Sequence, residues 1–318
     1  AGADGPEGPA VATDGPITGA QVAVPTPDPV RSVQYHLDVI EAEALWPVGT
    51  GRGSVIAVID SGVRETHVDF SGRLLPGACF LGAGGNPCAE PGQGPSPLHP
   101  HGTHVAGIAA AGAGDGRGVV GVAPAAEVLP VRVLDENNSG FLSDLAAGVL
   151  HALQADLDGD GLTPDVDVIN LSIQSQSSNA VVAGAIEQAI AAGVPVVASA
   201  GNLAGVGNPT VFPAAEPGVI GVGSIGPGVG GFTRAPTSSF GPWVDLVAPG
   251  VDIWSAGLDN DSDVSLRSGT SMSAPQVSGA VAALLGADPT LTVEQVTGLL
   301  RTSASDLGPV GPGPEYGA

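Results

Sequence analysis

At residues 55–62 the chain reads Val-Ile-Ala-Val-Ile-Asp-Ser-Gly, an apolar run that ends abruptly in a carboxylate and a turn. A short, continuous apolar run rich in β-branched residues is typical of a strand buried on both faces. We therefore predict a strand at Ser54–Ile59, with Asp60 just beyond it. Similar runs predict further strands at Val128–Leu134, Val166–Leu171, Val194–Ser199, Val219–Gly223 and Val244–Val247.

Segments with helical spacing of apolar residues separate these strands. They predict a short amphipathic helix over Ser32–Trp46 and further helices at His104–Ala111, Asp144–Ala155, Ala180–Ala192, Ala274–Leu285 and Val293–Ser303. Buried strands that alternate with helices indicate a mostly parallel sheet. The expected fold class is α/β, a three-layer, doubly wound, mostly parallel sheet with helices on both faces.

Three segments each place one polar side chain with a chemical role among glycines. Asp60 ends the first strand, His101 opens His-Gly-Thr-His-Val-Ala-Gly at 101–107, and Ser271 lies within Gly-Thr-Ser-Met-Ser-Ala-Pro at 269–275. A serine hydroxyl becomes a good nucleophile when a base takes its proton, and the base needs a third group to hold its tautomer. Ligands of parallel sheets bind beyond the carboxyl ends of the strands, where Asp60 and Asn202 both fall.

These segments, with Val-Pro-Val-Val-Ala-Ser-Ala-Gly-Asn at 194–202, resemble the signature motifs of the subtilisin-like serine proteases, from about Gly51 to about Leu300. The order Asp, His, Ser along the chain is that family's known order. The resemblance implies a serine endopeptidase that needs no cofactor for catalysis. Its nucleophile would be Ser271, its base His101, its orienting carboxylate Asp60 and its side-chain oxyanion donor Asn202.

The resemblance also implies two segments that pair with the backbone of a polypeptide substrate. They are Leu171, Ser172, Ile173 and Gln174 in one strand, and Ala198, Ser199, Ala200 and Gly201 in the next. Relatives often carry Gly-Gly where this chain has Gln174 and Ser175, and Val211 falls near the base of the first specificity pocket. Backbone pairing of this kind gives broad specificity. Because these segments hold no charged residue and Val211 should narrow the pocket, we expect a preference for apolar, medium-sized side chains.

Two other functions compete with this hypothesis. An esterase of the α/β-hydrolase fold would carry Gly-x-Ser-x-Gly and the order Ser, Asp, His, whereas this chain has Gly-Thr-Ser-Met-Ser at 269–273 and the opposite order. A non-enzymatic binding module on the same fold would be favoured by a degenerate triad. All four catalytic positions are intact, which favours the enzyme.

Charge narrows the range of partners. The chain of 318 residues has no lysine and only 9 arginines against 32 acidic residues, for a net charge of -23. Nucleic acid is disfavoured as a partner because the chain has little basic charge with which to neutralise phosphates, and anionic membranes are disfavoured for the same reason. The sequence also lacks an apolar run long enough to cross a membrane.

The only two cysteines, Cys79 and Cys88, bracket a glycine-rich segment. They suggest a disulfide and an oxidising, extracellular location, with two free thiols in a cytosolic protein as the alternative. We expect a secreted monomer, although neither a signal peptide nor an inhibitory propeptide is evident. Residues 1–30, rich in Gly and Pro, predict a flexible leader, and residues 31–318 a catalytic domain with a trimmed C-terminus.

An acidic loop suggests a structural calcium ion. Residues 156–161 read Asp-Leu-Asp-Gly-Asp-Gly, with carboxylates at positions one, three and five and the turn-forming glycine at six, as in the first half of a calcium-binding loop. The alternative is a solvated acidic turn. The candidate ligands are Asp156, Asp158, Asp160, Leu162, Asp165 and Asp167. Asp69 resembles a separate calcium ligand of the family.

Overall fold

A computed structural model of the protein describes residues 27–85, 88, 96–307 and 313–317. The expected flexible leader, residues 1–30, lies almost entirely outside the described residues. Within the described part of the chain, no helix is both long enough and apolar enough to span a membrane.

A mostly parallel sheet forms the centre of the fold. Its strands are β1 (Val55–Asp60), β2 (Ala78–Cys79), β3 (Glu127–Arg132), β4 (Val168–Leu171), β5 (Val196–Ser199), β6 (Ile220–Gly228), β7 (Gly231–Arg234) and β8 (Leu246–Pro249). Their order is β2-β3-β1-β4-β5-β6-β7, with β8 paired to β6, and only the β6–β7 pair is antiparallel. A separate antiparallel pair consists of β9 (Ile253–Ala256) and β10 (Val264–Arg267).

Helices cover both faces of the sheet. They are α1 (Tyr35–Val39), α2 (Ala42–Leu45), α3 (His101–Ala110), α4 (Leu142–Gln154), α5 (Ala180–Ala191), α6 (Thr270–Ala287) and α7 (Val293–Ser303). Successive side chains of β1 point to opposite faces of the sheet and so belong to two separate cores. Ile56 and Val58 join a core with α3 and α6, whereas Ala57 and Ile59 join a second core with α4 and α5. The expected three-layer α/β architecture is confirmed.

The six predicted strands are all present, but several predicted boundaries are wrong. The helices α3 and α6 begin at His101 and Thr270, earlier than predicted, because glycines and polar residues at their starts obscure the apolar pattern. The expected single helix over Ser32–Trp46 is broken into short pieces. The break lies at Glu41, which has a left-handed backbone conformation with φ of 52°. A continuous helix cannot pass through that conformation.

Two histidines are buried without charge. Both ring nitrogens of His36 lack a hydrogen-bond partner in the described structure. Nε2 of His104 lies 3.1 Å from the carbonyl oxygens of Ile253 and Ser265. Burial, with a smaller contribution from nearby arginines, lowers the pKa of His36 and of His104 to about 3. Both side chains are therefore neutral in the native protein at ordinary pH.

These histidines predict a loss of stability in acid. Between about pH 6.5 and pH 3 the unfolded chain binds protons that the folded chain excludes, so the free energy of unfolding falls as the pH falls. The slope from each histidine approaches about 1.4 kcal/mol per pH unit. We expect His36→Phe to reduce the number of protons taken up on unfolding in acid by about one. The free energy of unfolding at pH 7 should stay within about 1 kcal/mol of the wild-type value. Denaturant unfolding from pH 4 to pH 8 measures both, and an unchanged slope would contradict the assignment.

Candidate active site

The carboxyl end of β1 places a carboxylate inside the protein. Asp60 is fully buried, and its Oδ1 accepts a hydrogen bond from Nδ1 of His101 at 2.8 Å and another from the backbone N–H of Ser61 at 2.7 Å. A buried carboxylate is costly unless it is hydrogen-bonded. Because Nδ1 of His101 donates to Asp60, Nε2 is the ring nitrogen left to accept a proton.

The first turn of α3 packs tightly against the end of β1. Ser61 links the two, since its hydroxyl accepts from the backbone N–H of Gly102 at 2.9 Å and donates to the carbonyl of His99 at 3.0 Å. A Cβ on residue 102 would overlap the carbonyl oxygen of Gly62, so only glycine permits this approach. The sequence Ser-Gly at the strand end and His-Gly at the helix start therefore bring His101 to Asp60.

Ser271 lies in the first turn of α6. Its backbone N–H belongs to the donors that no carbonyl within the helix can satisfy, and the helix dipole makes this end positive. The preceding cap, Gly269, has φ of 147°, which disfavours residues with a Cβ. The hydroxyl of Ser271 donates to the carbonyl oxygen of Ser172 at 3.3 Å rather than to the ring of His101.

A proline further along α6 leaves the carbonyl group of Ser271 free to accept a hydrogen bond from outside the helix. Pro275 has no N–H, so the carbonyl of Ser271, four residues earlier, receives no hydrogen bond from it. The hydroxyl of Ser172 donates to that carbonyl instead, at 3.0 Å. Asn170 in turn donates to the Ser172 hydroxyl at 3.1 Å and accepts from Ser278 of α6 at 2.9 Å. Two polar contacts thus tie the end of β4 to α6.

Asn202 faces the same turn. Its side-chain oxygen accepts hydrogen bonds from the backbone N–H of Thr270 at 3.0 Å and from the Thr270 hydroxyl at 3.3 Å. This fixes the carboxamide with its oxygen toward α6 and leaves the Nδ2 hydrogens available. The backbone N–H of Gly201 donates to the hydroxyl of Thr270 at 3.2 Å.

A cleft of about 480 Å³ joins these groups. Its floor includes the side chains singled out from the sequence, namely His101, Ser172, Ile173, Gln174, Asn202 and Ser271. Its wall comes from the segment between β3 and α4 together with the start of α4. The residues of that wall are Val133, Leu134, Asn138, Ser139, Gly140, Phe141, Leu142 and Leu145. His101, Ser271 and Asn202 therefore border one cavity, and Asp60 is buried behind His101.

The other expected substrate-binding residues lie behind this surface. Leu171 ends β4 and pairs with Ala198 of β5, and both are fully buried. Ser199, Ala200 and Gly201 are also buried, with the hydroxyl of Ser199 donating to the carbonyl of Ile173 at 3.3 Å. Of the expected substrate-binding residues, those that line the cleft are Ser172, Ile173 and Gln174, which follow β4.

Two side chains pack closely against the ends of these segments. The side-chain oxygen of Gln174 accepts the backbone N–H of Asn202 at 2.9 Å, so this carboxamide bridges from one segment to the other. Val211 is fully buried, and its methyl groups lie 2.6 and 2.9 Å from the place a Cβ of Gly201 would occupy. Gly201, with φ of 100°, is the residue that allows this contact.

The acidic loop is only partly assembled as expected. Carboxylate oxygens of Asp156, Asp158 and Asp165 lie within 4.8 Å of one another, a spacing that suits a hard cation. Asp160 and Leu162 lie outside this group, and the Leu162 side chain is 70% exposed.

Asp167 has a different role. Its Oδ2 accepts the backbone N–H of Val55 at 2.7 Å, at the start of β1. Burial raises the pKa of Asp167, with a contribution from Asp165. Asp69 is also buried, and burial raises its pKa to about 6. Within the described residues, neither joins a cluster of metal-ligating groups.

Sequence reasoning missed one charged residue of the cleft. Arg267 ends β10, four residues before Ser271, and lines the cavity beside His101. In a chain with 9 basic residues, an arginine so close to the serine motif was itself a signal. The histidines His67, His99 and His151 stay outside the triad, although the carbonyl of His99 supports Ser61.

The geometry can be compared with known proteins. A family model described as the subtilase family, peptidase S8, matches residues 51–318. A thermophilic serine proteinase of Bacillus sp. (strain AK1) is 38% identical over 267 residues, which are 83% of this chain and 60% of that protein. Subtilisin NAT of Bacillus subtilis subsp. natto is 36% identical over 281 residues, which are 87% of this chain and 68% of that protein.

A solved protease structure from Pseudoalteromonas arctica PAMC 21717 superposes with a TM-score of 0.76 at 29% identity, covering 89% of this chain and 93% of that one. The chain thus spans about three fifths of the thermophilic proteinase and most of the solved structure. On these matches, the chain belongs to the subtilase family, and the domain it contains is that of a serine endopeptidase.

Proposed function

We propose that this chain hydrolyses internal peptide bonds of polypeptides through Ser271, His101 and Asp60. The observation that carries the proposal is the 2.8 Å hydrogen bond from Nδ1 of His101 to the fully buried Asp60, with His101 lining the same cleft as Ser271 and Asn202. Such an arrangement serves nucleophilic catalysis, and it has little purpose in a module that only binds. Polypeptides are the substrates that the family membership supports, and catalysis needs no cofactor.

The reaction begins with rotation of the Ser271 hydroxyl from the Ser172 carbonyl toward Nε2 of His101. His101 takes the hydroxyl proton while Ser271 Oγ attacks the scissile carbonyl carbon. Asp60 stabilises the resulting imidazolium and keeps Nε2 facing the substrate. His101 then gives the proton to the leaving amine as the C–N bond breaks, which leaves the acyl group on Ser271 Oγ. Water gives a proton to His101 and attacks this ester, the bond from the acyl group to Oγ breaks, and His101 returns the proton to Ser271 as the carboxylic acid leaves.

Two donors would stabilise the oxyanion. One is the backbone N–H of Ser271 at the positive end of α6, and the other is Nδ2 of Asn202. Because the side-chain oxygen of Asn202 already accepts a hydrogen bond from the backbone N–H of Thr270, the amide group is oriented before substrate binds. A donor held in place in this way needs no reorganisation during the reaction, and losing one typically costs two to three orders of magnitude in rate.

The acyl half of the substrate would lie between Leu171–Gln174 and Ala198–Gly201 as an added strand. Backbone pairing gives affinity for many sequences, which accounts for broad specificity. The bridge from Gln174 to Asn202 and the buried Val211 both restrict the first specificity pocket, so medium-sized apolar side chains should fit better than large aromatic ones.

The proposal extends to the protein's setting. The structure joins Cys79 and Cys88 in a disulfide, which fits an oxidising, extracellular location. The net charge of -23 disfavours nucleic acid and anionic membranes as partners. We place the protein outside the cell as a monomer that acts on polypeptides. A structural calcium ion at Asp156, Asp158 and Asp165 completes the proposal, supported by the approach of their carboxylates.

We expect Ser271→Ala to abolish cleavage while leaving the fold intact, because the nucleophile is lost and nothing structural depends on its hydroxyl alone. The loss should reach several orders of magnitude, the size known for subtilisin itself. A sulfonyl fluoride should label only Ser271, as peptide mass spectrometry can show. Ser273→Ala is the matched control, since its hydroxyl bonds to the carbonyl of Ala248 and faces away from the cleft. Cleavage that persists in Ser271→Ala would refute the assignment.

We expect Gln174→Ala to widen the first specificity pocket. The ratio of kcat/KM for Phe over Leu before the cut bond should rise about tenfold, the scale of discrimination for small changes in an apolar pocket. Val211→Gly should shift the ratio in the same direction. Gln188→Ala, on the exposed face of α5, is the matched control because its amide bonds only to its own helix. No change in Gln174→Ala would show that this side chain does not limit the pocket.

Calcium should raise the melting temperature, and chelation should lower it. Saturation at a hundredfold excess over the dissociation constant corresponds to about 2.7 kcal/mol. Asp158→Asn should remove most of this response, whereas Asp160→Asn, whose carboxylate lies outside the cluster, should keep it. Thermal unfolding of both variants with and without a chelator provides the comparison. A wild-type response in Asp158→Asn would make the loop a solvated acidic turn.

A further inference from the structure

One arginine in the catalytic cleft has no side-chain hydrogen bond or ion pair within the described part of the chain. Arg267 is half-buried, and its Nε is buried without a hydrogen bond. Among the described residues it makes neither an ion pair nor a side-chain hydrogen bond, whereas Arg31, Arg64, Arg234 and Arg301 all pair with carboxylates. Arg52 and Arg117 also make no side-chain hydrogen bond or ion pair among the described residues, but both are exposed to water, whereas Arg267 is half-buried.

The surroundings of Arg267 offer it no surface anion. Of the described residues that line the cleft, only His101 and Arg267 are titratable. The negative charge that raises the pKa of Arg267 is Asp60, which is buried and already bonded to His101. Burial lowers the pKa of Arg267, yet a guanidinium remains charged at any physiological pH. A carboxylate from outside the protein would therefore meet a desolvated, permanently charged donor with free N–H groups.

The position of Arg267 indicates which half of the substrate it meets. The acyl half lies along Leu171–Gln174, which extends from β4. Arg267 belongs instead to the β9–β10 pair, which packs against α3. Its charge contributes to lowering the pKa of His99, two residues before His101. His101 delivers its proton to the leaving amine, so the leaving half of the substrate must pass this side of Ser271.

We propose that Arg267 is a specificity-determining residue that binds a substrate carboxylate in the first or second residue after the cut bond. This inference rests on the proposed endopeptidase function. The carboxylate has two possible sources, an Asp or Glu side chain or the C-terminal carboxylate of a short leaving peptide. A guanidinium binds either through two parallel N–H donors.

The test uses quenched fluorescent peptides that differ only at the first or second residue after the cut bond. Glu is compared with Gln at each position, with an amidated C-terminus, and a further Gln peptide carries a free C-terminus. We expect kcat/KM to be roughly fivefold higher for the peptide that carries the carboxylate, falling toward onefold in 1 M salt. The amidated and free peptides show which carboxylate is used.

The variants make the result specific to Arg267. Arg267→Gln should bring the Glu-to-Gln ratio close to one, and Arg267→Lys should give an intermediate ratio because a lysine keeps the charge without the planar fork. Arg117→Gln, in the exposed loop after the far end of α3, removes the same charge elsewhere and should keep the wild-type ratio.

Three outcomes would overturn the inference. They are a wild-type ratio of one, a ratio that survives in Arg267→Gln, and an acidic preference confined to residues before the cut bond. An equal loss for Glu and Gln peptides in Arg267→Gln would mean that the arginine acts only through Asp60 and His101. Failure of the proposed function looks different, because then no peptide is cut, or Ser271→Ala still cuts.

Discussion

A fully buried carboxylate, Asp60, sets the terms for the surrounding structure. Removing an ion from water costs several kcal/mol unless hydrogen bonds replace its hydration. Two such bonds come from Ser61 and His101, both to Oδ1, whereas Oδ2 is buried with no hydrogen-bond partner among the described residues. The start of α3 therefore has to lie against the end of β1. Gly102 makes that approach possible, and Ser61 secures it. The same contacts that compensate the buried charge also orient the imidazole, so stability and catalysis share one interaction.

The second half of the site depends on α6. This helix is buried over most of its length and packs against both α3 and the sheet, which fixes the relative positions of Ser271 and His101. Asn202 and Ser172 hold its first turn from the neighbouring strand ends. Every reacting group thus stands at the end of a rigid element, as precise positioning requires.

Much of this arrangement could be predicted from the sequence. The apolar run before Asp60 and the glycines around His101 and Ser271 carry strong local signals, and they led to the sheet, the fold class and a single cleft. The antiparallel pair β9–β10 escaped prediction because each of its strands is only four residues long and alternates weakly. The start of α6 was misplaced because Thr270 and Ser271 are poor helix formers that a tertiary contact holds in place.

Other features depend on side-chain conformation, which periodicity does not encode. The bridge between Gln174 and Asn202 is a contact between residues far apart in the chain, and its effect on the pocket follows only from the structure. The division of the acidic loop is similar, since Asp167 supports the start of β1 while its neighbours form a cluster. Composition gave the shortage of basic charge but not the isolation of Arg267.

The proline in α6 has a consequence for attempts to stabilise the protein. A propensity scale would rank Pro275 as a defect and recommend a better helix former, which would gain an N–H at that position. That new donor would compete with the Ser172 hydroxyl for the carbonyl of Ser271. A substitution that improves the helix in isolation would thereby loosen the join between the nucleophile and the strand that receives the substrate. In α6, a regular pattern of helical hydrogen bonds and a firm contact between Ser271 and Ser172 exclude each other. Pro275 gives up the helical hydrogen bond and keeps the contact.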